Sequence, residues 1–452
     1  MPDNQGKIYL SIDYGDTYIQ PLLLAALHSR LPPDLLIFLT HSSPPPPSDS
    51  RFLQWRQYED LDFERLLGNP KTCLANSYII RKALIRKHFL STTVAHWLVK
   101  NPGSVLRRHV KGCVKFEVDF AEFLDEALVE AFELRESWER NERLGADGER
   151  DWWILKPGMS ERGAGIRLFS SEEELTAIFE EWDPPSDDED DEARDDEDEA
   201  AHSGNEDNVV AFKLKTSRPH DESTAKGNGI ITSQLRHFVA QPYIHPPLLL
   251  PPPHPPAGRK FHIRTYVLAV GALKVYVYKP MLALFAAEPY QAPLTTNSGD
   301  LGRHLTNTCL QSGEREGSVH AFWSLPSTLP FLPRPSSSEP EQEWRESVFT
   351  QILTTTSALF EAAARTTSTH FQPLPNCFEI FGLDFLVDGE GTAWLLEVNA
   401  FPDFAQTGEE LRGLVQGLIE GVVDVGVRPF FGLGKGESGD MVEVLDIDLG
   451  RR

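Results

Sequence analysis

The stretch from Phe378 to Pro402, Phe-Glu-Ile-Phe-Gly-Leu-Asp-Phe-Leu-Val-Asp-Gly-Glu-Gly-Thr-Ala-Trp-Leu-Leu-Glu-Val-Asn-Ala-Phe-Pro, constrains this chain more than any other. Two apolar-rich runs flank Asp388-Gly389-Glu390-Gly391, and a short Gly-containing loop between such runs predicts a β-hairpin. If Asp388 and Gly391 close the turn, Asp384 lies opposite Leu395 and diagonal to Glu397. Alternation then gathers Asp384, Glu397 and Asn399 on one face, and turns Leu383, Phe385, Val387, Trp394, Leu396 and Val398 toward a core. Two carboxylates and an amide oxygen across a diagonal of about 7–8 Å suit a hard cation that takes oxygen ligands and leaves places for phosphate. The expectation is magnesium with a nucleotide. A merely wet hairpin face is the alternative, but carboxylates in a run as apolar as Trp394–Pro402 are rarely buried without a partner.

A chain of 452 residues exceeds one ordinary hydrophobic core, so two or three domains or subdomains are expected. Cys73, Cys113, Cys309 and Cys377 are far apart and form no CxxC or His-rich cluster, which argues against a zinc site or a disulfide framework. No apolar run approaches the ~20 residues of a membrane span, and the amino terminus lacks a basic segment followed by an apolar one. A cytoplasmic protein without a membrane partner is expected. The net charge of −25 is uneven: residues 183–207 hold 14 acids and one Arg, a block too charged and too polar to order itself. Between Arg65 and Phe116, by contrast, stand 11 Lys or Arg and no acid, so one region of an acidic protein should attract an acidic partner.

Along the chain, Lys7–Ile12 reads as a strand, Gln20–Leu31 as a helix and Leu35–Leu39 as a second strand. Asn76–Lys87 reads as a basic helix able to point Lys82 and Lys87 at phosphates, and Phe116–Trp138 as an amphipathic helix using Phe120, Phe123, Leu124, Leu128, Ala131 and Phe132. Trp152–Phe169 predicts a strand ending in Lys156, a loop with Gly158, Gly163 and Gly165, and a returning strand. Ser171-Glu172-Glu173-Glu174 then opens a helix in capping-box style. The glycines let backbone amides approach an anion, although the pattern is not GxxxxGK[ST] and an ordinary flexible hairpin is equally compatible. His237–Ile244 reads as a strand leaving one domain, and the Pro-rich 246–256 as a stiff excursion. In Arg259–Val267 alternation puts Lys260, His262 and Arg264 on one face, three groups that repel unless an anion sits among them. His304–Asn307 is a polar loop, Glu343–Ala364 a helix, and the chain beyond Val427 largely Gly and charge.

Taken in order, these motifs resemble the ATP-grasp ligases. More narrowly, Arg259-Lys260-Phe261-His262-Ile263-Arg264, His304-Leu305-Thr306-Asn307 and Phe378–Asp384 through Leu396-Glu397-Val398-Asn399 resemble the tubulin-tyrosine ligase family. The resemblance implies an ATP-grasp fold of α+β and α/β parts, with ATP held between two α+β subdomains. Its divisions would be an N-terminal α/β domain over 1–68, a central subdomain over 69–244, a C-terminal subdomain over 245–435 and a tail over 436–452. It implies that Lys156 with Gly163 and Gly165 covers the ATP phosphates, that Lys82 reaches them, and that Gln241, Tyr243 and Ile244 read the adenine. Lys260 and Arg264 would hold the transferring phosphate and a substrate carboxylate as the catalytic pair, Thr306 and Asn307 would contact ribose or phosphate, and Asp384, Glu397 and Asn399 would bind Mg2+. The implied activity joins an amino acid, tyrosine first, to a carboxylate of an acidic protein tail, tubulin first, through an acyl phosphate. Addition of glutamate or glycine to another protein, and a nucleotide-binding scaffold for RNA or protein, are the rival readings. Against the family pattern His262 stands where Asp is usual, Pro242 where Lys is common, and Leu284 where tyrosine ligases tend to have Arg.

Overall fold

The structure is a computed structural model and describes residues 6–40, 42–144, 149–158, 163–182, 236–254, 256–294, 301–306, 318–329 and 343–450. The acidic block 183–207 and Asn307 lie outside the described residues.

The chain opens with a parallel sheet in the order β2-β1-β3-β4, from β1 (Ile8–Asp13), β2 (Leu36–Phe38), β3 (Arg51–Arg56) and β4 (Cys73–Ala75). The helix Ile19–Arg30 connects β1 to β2, burying Ile19, Leu22, Leu23, Ala26 and Leu27 at helical spacing. A second, antiparallel sheet in the order β5-β8-β6-β7 combines β5 (Val114–Glu117), β6 (Trp153–Pro157), β7 (Arg167–Phe169) and β8 (His237–Pro242). Its own core of Phe116, Trp153, Leu155, Phe169, Phe179, Trp182 and Phe238 is backed by the helix Glu172–Trp182. At the start of that helix Ser171 Oγ accepts from the Glu174 amide while the Glu174 carboxylate accepts from the Ser170 amide, the reciprocal capping expected from the sequence.

The third sheet is the largest, with β9 (Arg259–Val270), β10 (Lys274–Tyr278), β11 (Leu282–Pro289), β12 (Val319–Ala321), β13 (Phe378–Val387), β14 (Ala393–Ala400) and β15 (Met441–Asp446). One edge of β9 pairs β11 and then β10, and the other pairs β13 from His262 to Val270. On β9, Phe261, Ile263, Val267 and Ala269 enter one core, over which the 23-residue helix Trp344–Thr366 packs. From the opposite face Tyr266 and Leu268 enter a second core shared with the N-terminal sheet. Lys260, His262 and Arg264 continue that face beyond the apolar cover, so the cations stand where the core stops and a cleft begins.

Several local expectations are corrected. Residues 76–81 are irregular, and the expected basic helix is instead a single turn, Lys82–Ile85, followed by the helix Lys87–Lys100. Asn76 prevents an earlier start: its side chain accepts from the Arg56 amide and donates to the Arg56 carbonyl, extending the strand pairing past β4. That helix packs on Trp344–Thr366, which joins the basic segment to the third sheet's core. The amphipathic stretch 116–138 divides into β5, the turn Ala121–Phe123, and the helices Leu124–Ala127 and Phe132–Arg143. Leu124, Leu128, Ala131, Leu134 and Trp138 are buried while Phe120, Phe123 and Phe132 are exposed, because the stripe serves two short helices of different direction. The closing residues read as tail hold β15, whose Met441–Tyr278 to Asp446–Lys274 pairing completes the sheet edge beside β10.

Candidate active site

The β13–β14 hairpin brings its polar groups together by a route the sequence did not show. The loop closes at Val387 and Ala393, with Asp388 Oδ1 accepting from the amides of Glu390 and Thr392, one residue longer than expected. That pairing would place Leu396 beside Asp384. The register shifts once more between Asp384 and Phe385, leaving Leu396 as the extra residue and Asp384 directly opposite Glu397. The two one-residue slips cancel in parity, so Asp384, Glu397 and Asn399 share a face as expected. The correction falls on their neighbours: Leu395 is buried in the core, Leu396 lines the cleft, and Trp394, expected in the core, is half-buried and donates from Nε1 to Asp388 Oδ2.

Around that face lies a cleft of about 710 Å³, bounded by all three sheets. Lys82, Lys156, Gly163, Gln241, Tyr243, Ile244, Lys260, Arg264, Thr306, Asp384, Glu397 and Asn399 all line it. Gly165, buried behind Gly163, does not; both glycines have positive φ, +72° and +78°, where a side chain would be strained. Lys156 donates to Gln241 Oε1 at 2.9 Å, tying the end of β6 to the strand that leaves the second sheet. Lys260 donates to the Tyr243 hydroxyl at 2.9 Å and lies 4.1 Å from the centre of its ring, and that hydroxyl is 3.1 Å from His304 Nδ1. Burial, with Lys156 adding repulsion, pulls the Lys260 ammonium down to about 7. Thr306 Oγ1 is 2.5 Å from His262 Nδ1. Ile154, Ile166, Leu305 and Leu386 supply the cleft's apolar lining, which no single motif marked; alternation along β6, with Ile154 two residues from Lys156, was the available signal.

The carboxylates are not bare. Arg264 donates from Nε to Asp384 Oδ1 at 2.5 Å and from Nη2 to Oδ2 at 3.0 Å, a two-point ion pair at directly paired positions of β9 and β13. The sequence-based assignment of Arg264 to a substrate anion therefore meets a guanidinium already engaged through two nitrogens. Lys87 Nζ lies 3.4 Å from Glu397 Oε2, so Lys87 makes the carboxylate contact while Lys82 stands exposed at the rim. Burial opposes ionisation of Glu397, yet Lys87, Lys156, Asn399 and Arg264 together hold its pKa down to about 2. Asn399 Nδ2 donates to Asp384 at 3.2 Å and to Glu397 at 3.3 Å. A cation between these groups would need the amide turned so that its oxygen faces inward, a rotation available to any Asn side chain.

Among the described residues no group of three or more His, Cys, Asp or Glu could hold a metal. Two carboxylates and one amide nevertheless fit a divalent cation that keeps water and phosphate oxygens as its remaining ligands. Gly382, paired with Asn399, makes the arrangement possible: a Cβ there would meet Pro402 Cβ at 3.1 Å and Arg264 Cδ at 3.2 Å. Gly382→Ala is expected to cost about 1–3 kcal/mol in denaturant unfolding and to displace the Arg264–Asp384 pair.

The profile described as "Tubulin-tyrosine ligase family" matches residues 82–432. The chain belongs to the tubulin-tyrosine ligase family. A probable tubulin–tyrosine ligase of Schizosaccharomyces pombe is 41% identical over 432 residues, covering 95% of this chain and 94% of that protein. The probable tubulin–tyrosine ligase PBY1 of Saccharomyces cerevisiae is 39% identical over 88% of this chain, which spans 49% of that protein. The crystal structure of the C-terminal domain of K. lactis Pby1, described as an ATP-grasp enzyme interacting with the mRNA decapping enzyme Dcp2, superposes with a TM-score of 0.66. It is 36% identical and covers 98% of this chain and 99% of that one. The human tubulin polyglutamylase TTLL13 is 32% identical over 42% of this chain and 25% of its own length. The fold is thus ATP-grasp, a nucleotide-binding architecture of family ligases. His262 and Leu284 are paired across β9 and β11 and both line the cleft. No described helix is long and apolar enough to cross a membrane.

Proposed function

We propose that this chain is an ATP- and magnesium-dependent ligase that joins an amino acid to a carboxylate of an acidic protein. The observation that carries the reading is the convergence of Asp384, Glu397 and Asn399 with Arg264 and Lys156 in one cleft. Asp384, Glu397 and Asn399 would hold Mg2+, which when bound offsets charge on the transferring phosphate. Ile154, Ile166 and Tyr243, which cluster on the cleft's lining, would pack against adenine beside Gln241–Ile244. Lys156 and the Gly163 loop cover the phosphates, while Thr306 and Asn307 are assigned to ribose or phosphate. An acceptor carboxylate oxygen attacks the γ-phosphorus and ADP leaves; the amine nitrogen then attacks the acyl carbon, phosphate leaves, and the nitrogen sheds its proton as the amide forms. Arg264 places fixed positive charge beside these steps, and Lys260 adds its own once a phosphate beside it restores the ammonium.

The basic segment 65–116 favours an acidic acceptor and gives binding that weakens with salt through a slower on-rate. Tyrosine and a tubulin tail are the first substrates to test. Glutamate or glycine, and a non-tubulin protein, come second, because relatives include a polyglutamylase and a Pby1 that interacts with a decapping enzyme. A cytoplasmic location suits either acceptor. Mass spectrometry of candidate protein tails after incubation with Mg·ATP and mixed amino acids is the test, and ADP formation without any mass increase would favour the scaffold reading.

Lys260 adds a check independent of the acceptor. A nearby phosphate raises a depressed ammonium pKa, so ATP binding near pH 8 is expected to take up close to one proton. Calorimetric titrations in two buffers of different ionisation enthalpy measure this, and Lys260→Met should abolish it.

A further inference from the structure

The cleft continues past the metal-binding face into a second lobe. Its walls are Tyr14 and Asp16 after β1, Gln57–Glu59 after β3, Arg81, Lys82 and Arg86 around the Lys82–Ile85 turn, and Phe401–Asp403 after β14. Phe401 lines it, half-buried, two residues beyond Asn399. Its φ of +51° is a conformation that bulky L residues rarely adopt and glycine adopts freely. On its N-terminal side Ala400 is paired with Phe381, and two contacts hold its C-terminal side. Pro402 packs against Gly382, and Asp403 accepts a hydrogen bond from the Ala405 amide. The ring consequently lies 5.8 Å from that of Tyr14, and the Arg81 guanidinium sits 5.6 Å from its centre and 3.9 Å from the centre of Tyr58. Arg81 is spent on Glu379 at 2.8 Å, whereas Lys82 is exposed on the rim of the same lobe.

A bulky side chain at a backbone conformation that glycine would adopt with less strain points to a task for that side chain. Phosphate and metal make no use of an aromatic ring and adenine is assigned to Ile154, Ile166 and Tyr243, which leaves the amino acid or the acceptor; the exposed Lys82 on the same lining favours the acceptor chain, which enters from solvent with its charge. We propose that Phe401 is a specificity-determining residue, an aromatic platform on which the last residue of an acidic acceptor chain lies, with its carboxylate held between the metal-binding face and the Lys82 rim. The proposal rests on the reading of the protein as a carboxylate–amine ligase. Stacking on a rigid ring orients the terminal residue, while Lys82 and Arg86 attract its charge without orienting it and the carboxylates of Asp16, Glu59 and Asp403 on the same lining confine that charge to their side.

The test uses the full chain, Mg·ATP, and a fluorescein-labelled twelve-residue Glu/Gly peptide made with a free carboxylate and as its amide. Wild type is expected to prefer the free carboxylate. Phe401→Gly relieves the backbone strain and removes the platform, so its thermal midpoint should stay within a few degrees of wild type and its Mg·ATP affinity within about two-fold. Its affinity for the free-carboxylate peptide should fall about ten-fold, with loss of the preference over the amide. Should Phe401→Gly not fold, Phe401→Leu keeps the volume without the flat face and should weaken the peptide about five-fold. Unchanged peptide binding in the folded variant overturns the role of Phe401, as does a parallel fall in midpoint, ATP affinity and peptide affinity, which marks a structural wedge. A wild type that binds both peptides equally overturns the ligase reading, and this proposal with it.

Discussion

Glu397→Gln is expected to lower turnover by about two orders of magnitude or more while leaving the fold intact. The substitution keeps the side chain's volume and one carbonyl oxygen but removes the charge that Lys87, Lys156, Asn399 and Arg264 hold ionised down to about pH 2. With Asp384 already engaged by Arg264 through two hydrogen bonds, Glu397 is the carboxylate with more capacity to compensate a cation. The Lys87 ammonium, 3.4 Å away, would face a neutral amide in place of a carboxylate, and its charge then lowers affinity for a divalent ion further. Magnesium titrations followed by ATP-binding calorimetry separate the two steps: metal-dependent ATP affinity should fall in the variant, and the thermal midpoint should stay close to wild type. Wild-type turnover with wild-type metal dependence would remove the hairpin face from the mechanism.

The largest effect on stability is expected at Arg81. Its Nε lies 2.8 Å from Glu379 Oε1, close but too poorly aligned for a hydrogen bond, and both side chains are almost fully buried. Glu379 also accepts from the Tyr78 amide at 3.1 Å. Arg81→Met leaves a buried carboxylate without its counter-charge, at a cost of about 3–5 kcal/mol by urea unfolding. Double replacement with Glu379→Gln should recover much of that loss, since an amide can still accept from Tyr78 and carries no charge to desolvate.

The pH dependence has a definite sign. Burial, opposed by Arg81 and the Tyr78 amide, raises the Glu379 pKa from an ordinary 4.5 to about 7. The folded chain therefore binds the proton more tightly than the unfolded chain. The stability this contributes is complete below about pH 4.5 and is lost as pH rises through 7. In Glu379→Gln this falling limb should disappear from the difference between variant and wild type. In Arg81→Met it should extend above pH 7, because burial is then opposed only by the Tyr78 amide and the Ser77 hydroxyl.

Much of this organisation was legible in the chain. Alternation on β9 placed Lys260, His262 and Arg264 together, because the period of a strand leaves a side chain no choice of face once the strand exists. The same parity gathered Asp384, Glu397 and Asn399, even though the loop length and register were each misjudged by one residue. Ser171 and Glu174 announced their helix because a cap is a local contact. What failed was whatever required knowledge of a distant neighbour. The extra residue at Leu396 follows from the Asp388 loop contacts and the packing of Leu395 into the core, and neither is a property of the strand alone. The helix expected from Asn76 lost to side-chain pairing with Arg56, a partner 20 residues earlier.

The sequence by itself determined the residue types, their strand faces and the order of the motifs, since these depend on covalent spacing and on the two-residue repeat of an extended chain. Only the tertiary structure decided the partners: that Arg264 pairs with Asp384 across 120 residues, that Lys87 takes Glu397, and that Phe401 is held left-handed beside Tyr14 and Arg81. Ion pairs and ring contacts act over a few ångströms, and the sheet's cross-strand register, set by hydrogen bonds among β9, β13 and β14, is what brings those groups within that range.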